Sequence, residues 1–111
     1  MPIYMAQFAY TPEAWAALIR VPQDRAAASD VFVRHVGGRL IGFYYTPGAE
    51  YDGFVLFEAP DDAAAAAVEI AAIAVGHLRS NRLLRVLSAE EMQAALQQAA
   101  TAPDITPKRT G

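Results

Sequence analysis

The 111-residue sequence contains no cysteine, only one lysine and no uninterrupted apolar run of membrane-spanning length. Without cysteine, disulfide bonds, thiolate catalysis and zinc–thiolate sites are excluded. The longest apolar run begins at Ala63 and is interrupted by Glu69, so it falls short of the roughly 18–20 residues that cross a bilayer. We therefore expect a soluble protein without a membrane partner.

Positive charge is also scarce. Nine Lys and Arg residues stand against twelve Asp and Glu residues, which gives a net charge of −3 and a pI near 5.2. A nucleic-acid partner requires a basic surface that neutralises phosphates, so such a partner is not expected. The opening residues, MPIYMAQFAY, have no basic segment before an apolar core. We expect no signal peptide and a cytoplasmic location.

Apolar residues, in contrast, are abundant for a chain of this size. Hydrophobic residues make up 54% of the sequence and charged residues 19%. The length fits one domain, and small domains have the most surface for their volume. The composition therefore predicts that part of the apolar surface contacts another subunit.

Four segments rich in branched and aromatic residues predict β-strands. These strands are expected at residues 3–10, 39–46, 51–59 and 79–87. A helix is expected to begin at Thr11 and to bend or break at Pro22, and an alanine-rich helix follows at 63–76. Ser88 with Glu91 predicts a capping box for a last helix.

The neighbouring carboxylates Asp61 and Asp62 follow Pro60 at the start of the alanine-rich helix. Carboxylates favour the positive end of a helix dipole, and adjacent residues of a helix do not face each other. We therefore interpret this pair as a helix start and not as an acid–base pair.

The order β-α-β-β-α-β with a C-terminal helix predicts an α+β, ferredoxin-like domain with a four-stranded antiparallel sheet in the order 4-1-3-2. Both main helices then cover one face of the sheet. Alternation along the second strand predicts apolar side chains on both faces, with Ile41, Phe43 and Tyr45 on one and Leu40, Gly42 and Tyr44 on the other. We expect a second subunit to cover the face without helices, so that two sheets enclose a cavity in a dimeric α/β barrel.

The stretch FYYTPGAEYDGFVLFEAPDDAAAAA, residues 43–67, resembles the GYD-domain family. The segments MPIYM, GGRLIGFYYT, EAPDD and VLSAEEM agree with that resemblance in order and spacing, and it extends over about residues 1–98. The Gly-Tyr-Asp signature is not contiguous, because Ala49 and Glu50 separate Gly48 from Tyr51. The prediction is a GYD-like domain at residues 1–100 and a polar tail at 101–111.

The resemblance implies the dimeric α/β-barrel superfamily, which includes cofactor-free oxygenases, isomerases, haem enzymes and ligand-sensing domains. GYD proteins themselves mostly lack an assigned activity. We expect a small homo-oligomer, without a cofactor, that binds a small molecule in the cavity between the sheets. The alternative is a cofactor-independent oxygenase or isomerase acting on a small aromatic or enolisable substrate, and the sequence does not decide whether the protein is an enzyme.

Asp52 and His77 are the candidate catalytic bases, and the Tyr51 phenol is a candidate ligand contact. Both signature residues also have a structural interpretation, in which Tyr51 covers the edge of the core and Asp52 accepts backbone N–H groups in the turn. His35 and His77 fall at predicted helix ends, where an imidazolium favours the dipole. They are far apart in sequence and have no metal-ligand spacing, so no metal site is expected.

The fourth strand places Arg85 on one face with Asn81 and Leu83, and Arg82 on the other. If that strand faces the barrel cavity, Arg85 with Gln7 and Tyr44 could bind an anionic or carbonyl ligand. If it is an edge strand, the arginines protect the edge or form salt bridges between subunits.

Overall fold

The computed structural model describes residues 1–108. It contains four strands and four helices in one chain order. These elements are β1 (Ile3–Tyr10), α1 (Pro12–Arg20), α2 (Arg25–His35), β2 (Arg39–Tyr45), β3 (Gly53–Glu58), α3 (Asp62–Ala74), β4 (Leu78–Val86) and α4 (Ala89–Ala100). The predicted break at Pro22 is confirmed, because that residue lies between α1 and α2.

The four strands form one antiparallel sheet in the order β2-β3-β1-β4. The order is the one predicted for a ferredoxin-like α+β fold, with β1 and β3 central and β2 and β4 at the edges. Each pair of strands joined by helices, β1 with β2 and β3 with β4, has one strand between its members. The fold prediction is therefore confirmed for the single chain.

Side chains cap the helix starts as the sequence predicted. The Thr11 hydroxyl accepts a hydrogen bond from the backbone N–H of Ala14 at 3.1 Å, and Asp61 Oδ1 accepts one from Ala64 at 2.8 Å. Asp61 is thus the N-cap of α3, which satisfies a backbone donor that the helix leaves free. The Asp61–Asp62 pair starts a helix, and the acid–base interpretation is not needed.

The centre of the core lies where two helices meet the middle of the sheet. Phe57 on β3, Val33 on α2 and Ala65 on α3 have no exposed surface. Tyr4 on β1 is 3% exposed and its ring stacks on Phe57, with centroids 5.7 Å apart. The small alanine side chains of α3 allow that helix to lie close to these rings. We call this side of the sheet the helix face.

A β-bulge in β2 corrects the predicted alternation. Leu40 pairs with Phe57, but the next paired residue is Gly42, opposite Leu56. The extra residue, Ile41, shifts the pattern, because a bulge places two residues opposite one. Leu40 therefore packs into the core on the helix face, where the strict alternation had grouped it with Tyr44 on the other side.

The opposite side of the sheet, the open face, is covered by no helix in the described chain. The strand register assigns to it Met5, Gln7, Tyr44, Phe54, Leu56, Arg82 and Leu84. Most of these side chains are apolar, as expected. The prediction that a second subunit covers them concerns a second chain and stays a prediction.

The C-terminal helix α4 is present as predicted, but it extends away from the rest of the domain. All of its residues except Glu91 are exposed. The radius of gyration is 18.5 Å, whereas a compact chain of this length has about 13 Å. Residues 101–108 have no helix or strand and are exposed. Residues 109–111 of the predicted polar tail lie outside the described part of the chain.

Candidate functional site

A cavity of about 100 Å³ lies between the helices α2 and α3 and the helix face of the sheet. Its floor includes Ala6, Phe8, Val55 and Phe57 from the two central strands. Its walls include Phe32 and Val33 from α2 and Val68 and Ala72 from α3. The cavity is thus mainly apolar, as ligand pockets usually are.

Few polar side chains line this cavity, and four of them carry chemistry. They are Arg25 and Ser29 from α2, Glu69 from α3 and His77 from the connection to β4. Arg25 supplies a permanent positive charge, Ser29 a hydroxyl, and Glu69 and His77 groups that can exchange protons. An apolar cavity with a few polar groups is the arrangement that orients a small ligand.

Glu69 is the half-buried acid of the cavity. Its Oε1 accepts a hydrogen bond of 2.7 Å from the side-chain amide of Asn81 on β4. Burial raises the pKa of Glu69 above its usual range, and the Asn81 hydrogen bond opposes this only in part. Because desolvation disfavours the charged form, the carboxyl is a better proton acceptor than an exposed one once it is ionised.

Tyr10 lines the cavity where β1 ends and belongs to an aromatic cluster. Its hydroxyl lies 3.2 Å from the Tyr45 hydroxyl, and its ring meets the Trp15 ring edge to face, with centroids 5.1 Å apart. Burial raises the pKa of Tyr10 far above its usual value, with a further contribution from the Tyr45 hydrogen bond. The phenol therefore stays protonated at neutral pH and acts as a hydrogen-bonding group.

The signature residue Asp52 lies outside the cavity lining and holds three segments together. Its Oδ2 accepts hydrogen bonds from the Tyr10 backbone N–H at 2.8 Å and from Trp15 Nε1 at 3.2 Å. Its own backbone N–H donates to the Phe8 carbonyl at 2.8 Å, and its carbonyl accepts from Thr46. This geometry supports the structural interpretation of Asp52, because the carboxylate oxygen is occupied by donors of its own chain.

The residues on either side of Asp52 are also structural. The Tyr51 carbonyl accepts a hydrogen bond of 2.7 Å from the Thr46 hydroxyl, which closes the β2–β3 turn. At Gly53, a Cβ atom would collide with the Tyr44 carbonyl oxygen and would lie 2.6 Å from Phe8 Cζ. The Tyr-Asp-Gly stretch therefore closes the turn, ties it to β1 and α1, and lets β2 and β3 approach.

Arg85 lies on the helix face of the edge strand β4 and is engaged within its own chain. It donates to Glu91 Oε2 at 3.0 Å and to the Val86 carbonyl at 2.6 Å. Its guanidinium also lies 5.8 Å from the centre of the Tyr4 ring. Because β4 is an edge strand, the structure favours the edge interpretation of this arginine over the ligand interpretation.

The strand register places the Gln7 and Tyr44 side chains on the open face, away from Arg85, although Gln7 also borders the cavity. Gln7 pairs with Phe54 and with Arg82, and Tyr44 pairs with Phe54, which places all four side chains in one row. Tyr44 is 50% exposed. The Gln7 side-chain oxygen is buried, and it has no hydrogen-bond partner within residues 1–108.

The two histidines are both exposed but differ in position. His77 lines the cavity, and its carbonyl accepts a hydrogen bond from Thr11 at 2.9 Å. His35 ends α2 and is exposed.

Residues 1–108 contain no group of three or more potential ligands that could hold a metal ion. In the same range, no helix combines the length and apolar character needed to cross a membrane.

Sequence reasoning missed Glu69, Arg25 and Ser29 as site residues. One signal was available, since Glu69 is the only charged residue among residues 63–76. A lone carboxylate in an otherwise apolar helix must either face water or find a partner. Asn81, which shares the helix face with Leu83, is that partner, but the pairing of α3 with β4 becomes visible only in the folded chain.

The fold and cavity define a ferredoxin-like α+β domain with a small apolar cavity under its helices. The sequence profile of the GYD domain matches residues 4–96. The chain therefore belongs to the GYD-domain family. This finding confirms the resemblance noted from residues 43–67.

One solved structure is similar over nearly the whole chain. It is an uncharacterised NIPSNAP domain protein from Burkholderia xenovorans, with 15% sequence identity and a TM-score of 0.48. The match covers 94% of this chain and 100% of that one. No curated protein matches the sequence.

Replacing Asp52 with alanine is expected to lower the free energy of unfolding by about 1–3 kcal/mol, because the Tyr10 and Trp15 donors lose their acceptor. Asp52→Asn keeps one acceptor oxygen and should lose less. Urea denaturation followed by Trp15 fluorescence measures both changes. Glu50→Ala, at an exposed position of the same turn, is the matched control and should change little. Equal stability of the Asp52→Ala variant and the wild type would contradict the structural role.

Replacing Glu69 with glutamine is expected to make stability less dependent on pH. The raised pKa of Glu69 means that its stability contribution is full below the unfolded-state pKa and is lost as pH rises through the folded-state pKa. Glu69→Gln keeps an acceptor for Asn81 but cannot ionise. The difference in melting temperature, variant minus wild type, should therefore become more positive as the pH rises from 4 to 7. Glu13→Gln, at an exposed acid on α1, serves as the control. If the melting temperatures of wild type and Glu69→Gln changed in parallel with pH, the burial argument would be refuted.

Proposed function

We propose that this GYD-domain protein binds a small, largely apolar molecule in the cavity between its helices and its sheet. The observation that supports the proposal is the combination of an apolar lining with Arg25, Glu69 and His77. Of these, Arg25 and Glu69 are partly buried, and His77 is exposed. A ligand with one polar group would bind its apolar part to the aromatic floor and its polar group to these side chains.

The size of the cavity limits the ligand class. A cavity of about 150 Å³ lined by Leu, Ile and Phe side chains holds benzene, and this cavity measures about 100 Å³. A ligand no larger than benzene, or one such group of a longer molecule, fits best. Phe32 lines the cavity and is 40% exposed, so the ring lies where a longer ligand would enter.

This proposal places the ligand on the helix face of the sheet, whereas the sequence predicted a cavity between two sheets. That second cavity would involve the open face of two chains, with Gln7 and Tyr44 as candidate contacts. Arg85 is not part of either cavity as described, because it is held at the β4 edge. Binding between the sheets stays a prediction that needs the assembled protein.

A second candidate function is a cofactor-independent isomerase or oxygenase acting on a small aromatic or enolisable substrate. The raised pKa of Glu69 inside the cavity favours it. Of the two bases predicted from sequence, Asp52 is engaged by backbone and indole donors, while His77 lines the cavity. In this proposal Glu69 removes a proton from carbon, and Arg25 stabilises the negative charge that develops on oxygen.

Ligand binding can be tested by blocking the cavity. We expect phenol and benzoate, each an aromatic ring that carries one polar group, to shift backbone NMR signals of residues that line the cavity. Ala72→Phe should abolish these shifts, because its ring fills the space the probe needs. Ala67→Phe, on the exposed side of the same helix, is the matched control and should bind as wild type does. Identical shifts in wild type and Ala72→Phe would exclude this cavity as the binding site.

The enzyme candidate predicts proton exchange at carbon. With pyruvate as a small enolisable probe in D₂O, wild-type protein should speed deuterium incorporation at the methyl carbon over the rate in buffer. Glu69→Gln should reduce the enhancement at least tenfold, because the proton acceptor is gone, while Asp52→Asn should keep it. No enhancement by the wild type would remove the support for this candidate and leave the binding proposal intact.

A further inference from the structure

A second, smaller hollow lies beside the cavity, between α1 and the start of α2. It measures about 60 Å³, and its apolar wall on α1 consists of Ala14, Ala17 and Leu18. The cavity and this small hollow share three lining residues, which are Tyr10, Arg25 and His77. Two apolar spaces thus meet at one group of three polar side chains, which we call the junction.

Arg25 is half-buried, and no carboxylate of residues 1–108 forms an ion pair with it. Its one side-chain hydrogen bond within that range, to Gln23 Oε1, measures 3.4 Å, which is longer than the usual value of about 2.7–3.2 Å. The neighbouring Asp24 carboxylate instead caps α2 by accepting from the Ala27 N–H at 3.1 Å. Since a half-buried charge is costly without a partner, an anion would stabilise Arg25.

The helix α2 does not itself require a cation at residue 25. A positive charge at the first residue of a helix is unfavourable, because that end of the helix dipole is positive. The first turns of α1, α3 and α4 contain acidic residues, whereas the first turn of α2 contains none. The position of Arg25 therefore needs another explanation, and the junction that it lines provides one.

The other two junction side chains can assist in binding an anion. Burial raises the pKa of Tyr10, and the charge of Arg25 opposes that rise in part, so the guanidinium lies near the phenol oxygen. The protonated phenol can donate a hydrogen bond, and the His77 imidazole carries an N–H in either protonation state. Glu69, the acid of the cavity, does not line the small hollow. An anion at the junction therefore meets donors from three side chains.

We propose that the junction binds the carboxylate of a small carboxylic acid that carries an aromatic ring and a short alkyl branch on its α-carbon. The ring occupies the cavity and the branch occupies the small hollow, because the same polar group lines both spaces. At about 60 Å³, against about 100 Å³ for the cavity, the small hollow suits the shorter of the two groups. This inference rests on the proposed function and narrows its ligand class to branched aryl carboxylic acids.

The carboxylate is tested with an acid and its uncharged amide. NMR titration compares each enantiomer of 2-phenylbutyrate with the corresponding 2-phenylbutyramide. The wild type should bind the better enantiomer of the acid at least tenfold more tightly than the amide. Arg25→Gln should remove this preference, and Arg25→Lys, which keeps the charge, should retain part of it. Arg34→Gln, at an exposed arginine of the same helix that pairs with Asp30, is the matched control and should bind as wild type does.

The alkyl branch is tested by filling the small hollow. The wild type should bind 2-phenylbutyrate at least fivefold more tightly than phenylacetate, because the ethyl group is removed from water. Ala17→Leu should abolish this difference and leave phenylacetate binding unchanged. Ala16→Leu, at an exposed position of the same helix, is the matched control and should keep the difference.

Equal binding of the acid and its amide, or a preference for the acid that persists in Arg25→Gln, would overturn the proposal. So would a preference for the branched acid that Ala17→Leu leaves unchanged. In each of these cases, phenol shifts that Ala72→Phe abolishes would still support the proposed function. If none of these compounds bound, phenol included, both the proposed function and this inference would be overturned.

Discussion

The contact of Phe57 with Val33 and Ala65 determines how the rest of the domain is arranged. All three residues are fully buried, and they join the middle of the sheet to α2 and α3. Since large and small side chains meet there at close packing, the two helices are held at a set distance from the sheet. Towards Tyr10 and His77 the helices and the sheet enclose the cavity instead. The candidate site is thus a consequence of where the close packing ends.

The second organising contact is Asp52, which ties the β2–β3 turn to β1 and to Trp15. From sequence, residues 51–53 are candidates for catalysis because they combine a phenol and a carboxylate at the end of a sheet. Their geometry shows a turn whose polar groups bond to the backbone of neighbouring segments. The cavity instead contains Glu69, a half-buried carboxyl on an alanine-rich helix that accepts a hydrogen bond from Asn81.

The two faces of the sheet differ in whether the chain's own helices cover them. The helix face is closed by the chain itself and contains the cavity. The open face and α4 leave apolar side chains such as Tyr44 and Leu96 exposed.

Sequence alone determined the helix starts and the break at Pro22, because these depend on local signals. The order of the elements together with the crossover rule predicted the strand order, and the resemblance of residues 43–67 indicated the family. Periodicity, capping residues and proline act within a few residues of chain. The tertiary structure decided what depends on distant contacts: the bulge that turns Leu40 into the core, the hydrogen bonds of Asp52, the engagement of Arg85 by Glu91, and the cavity with Glu69. These features depend on which segments meet, and one inserted residue in a strand reverses which face a side chain occupies.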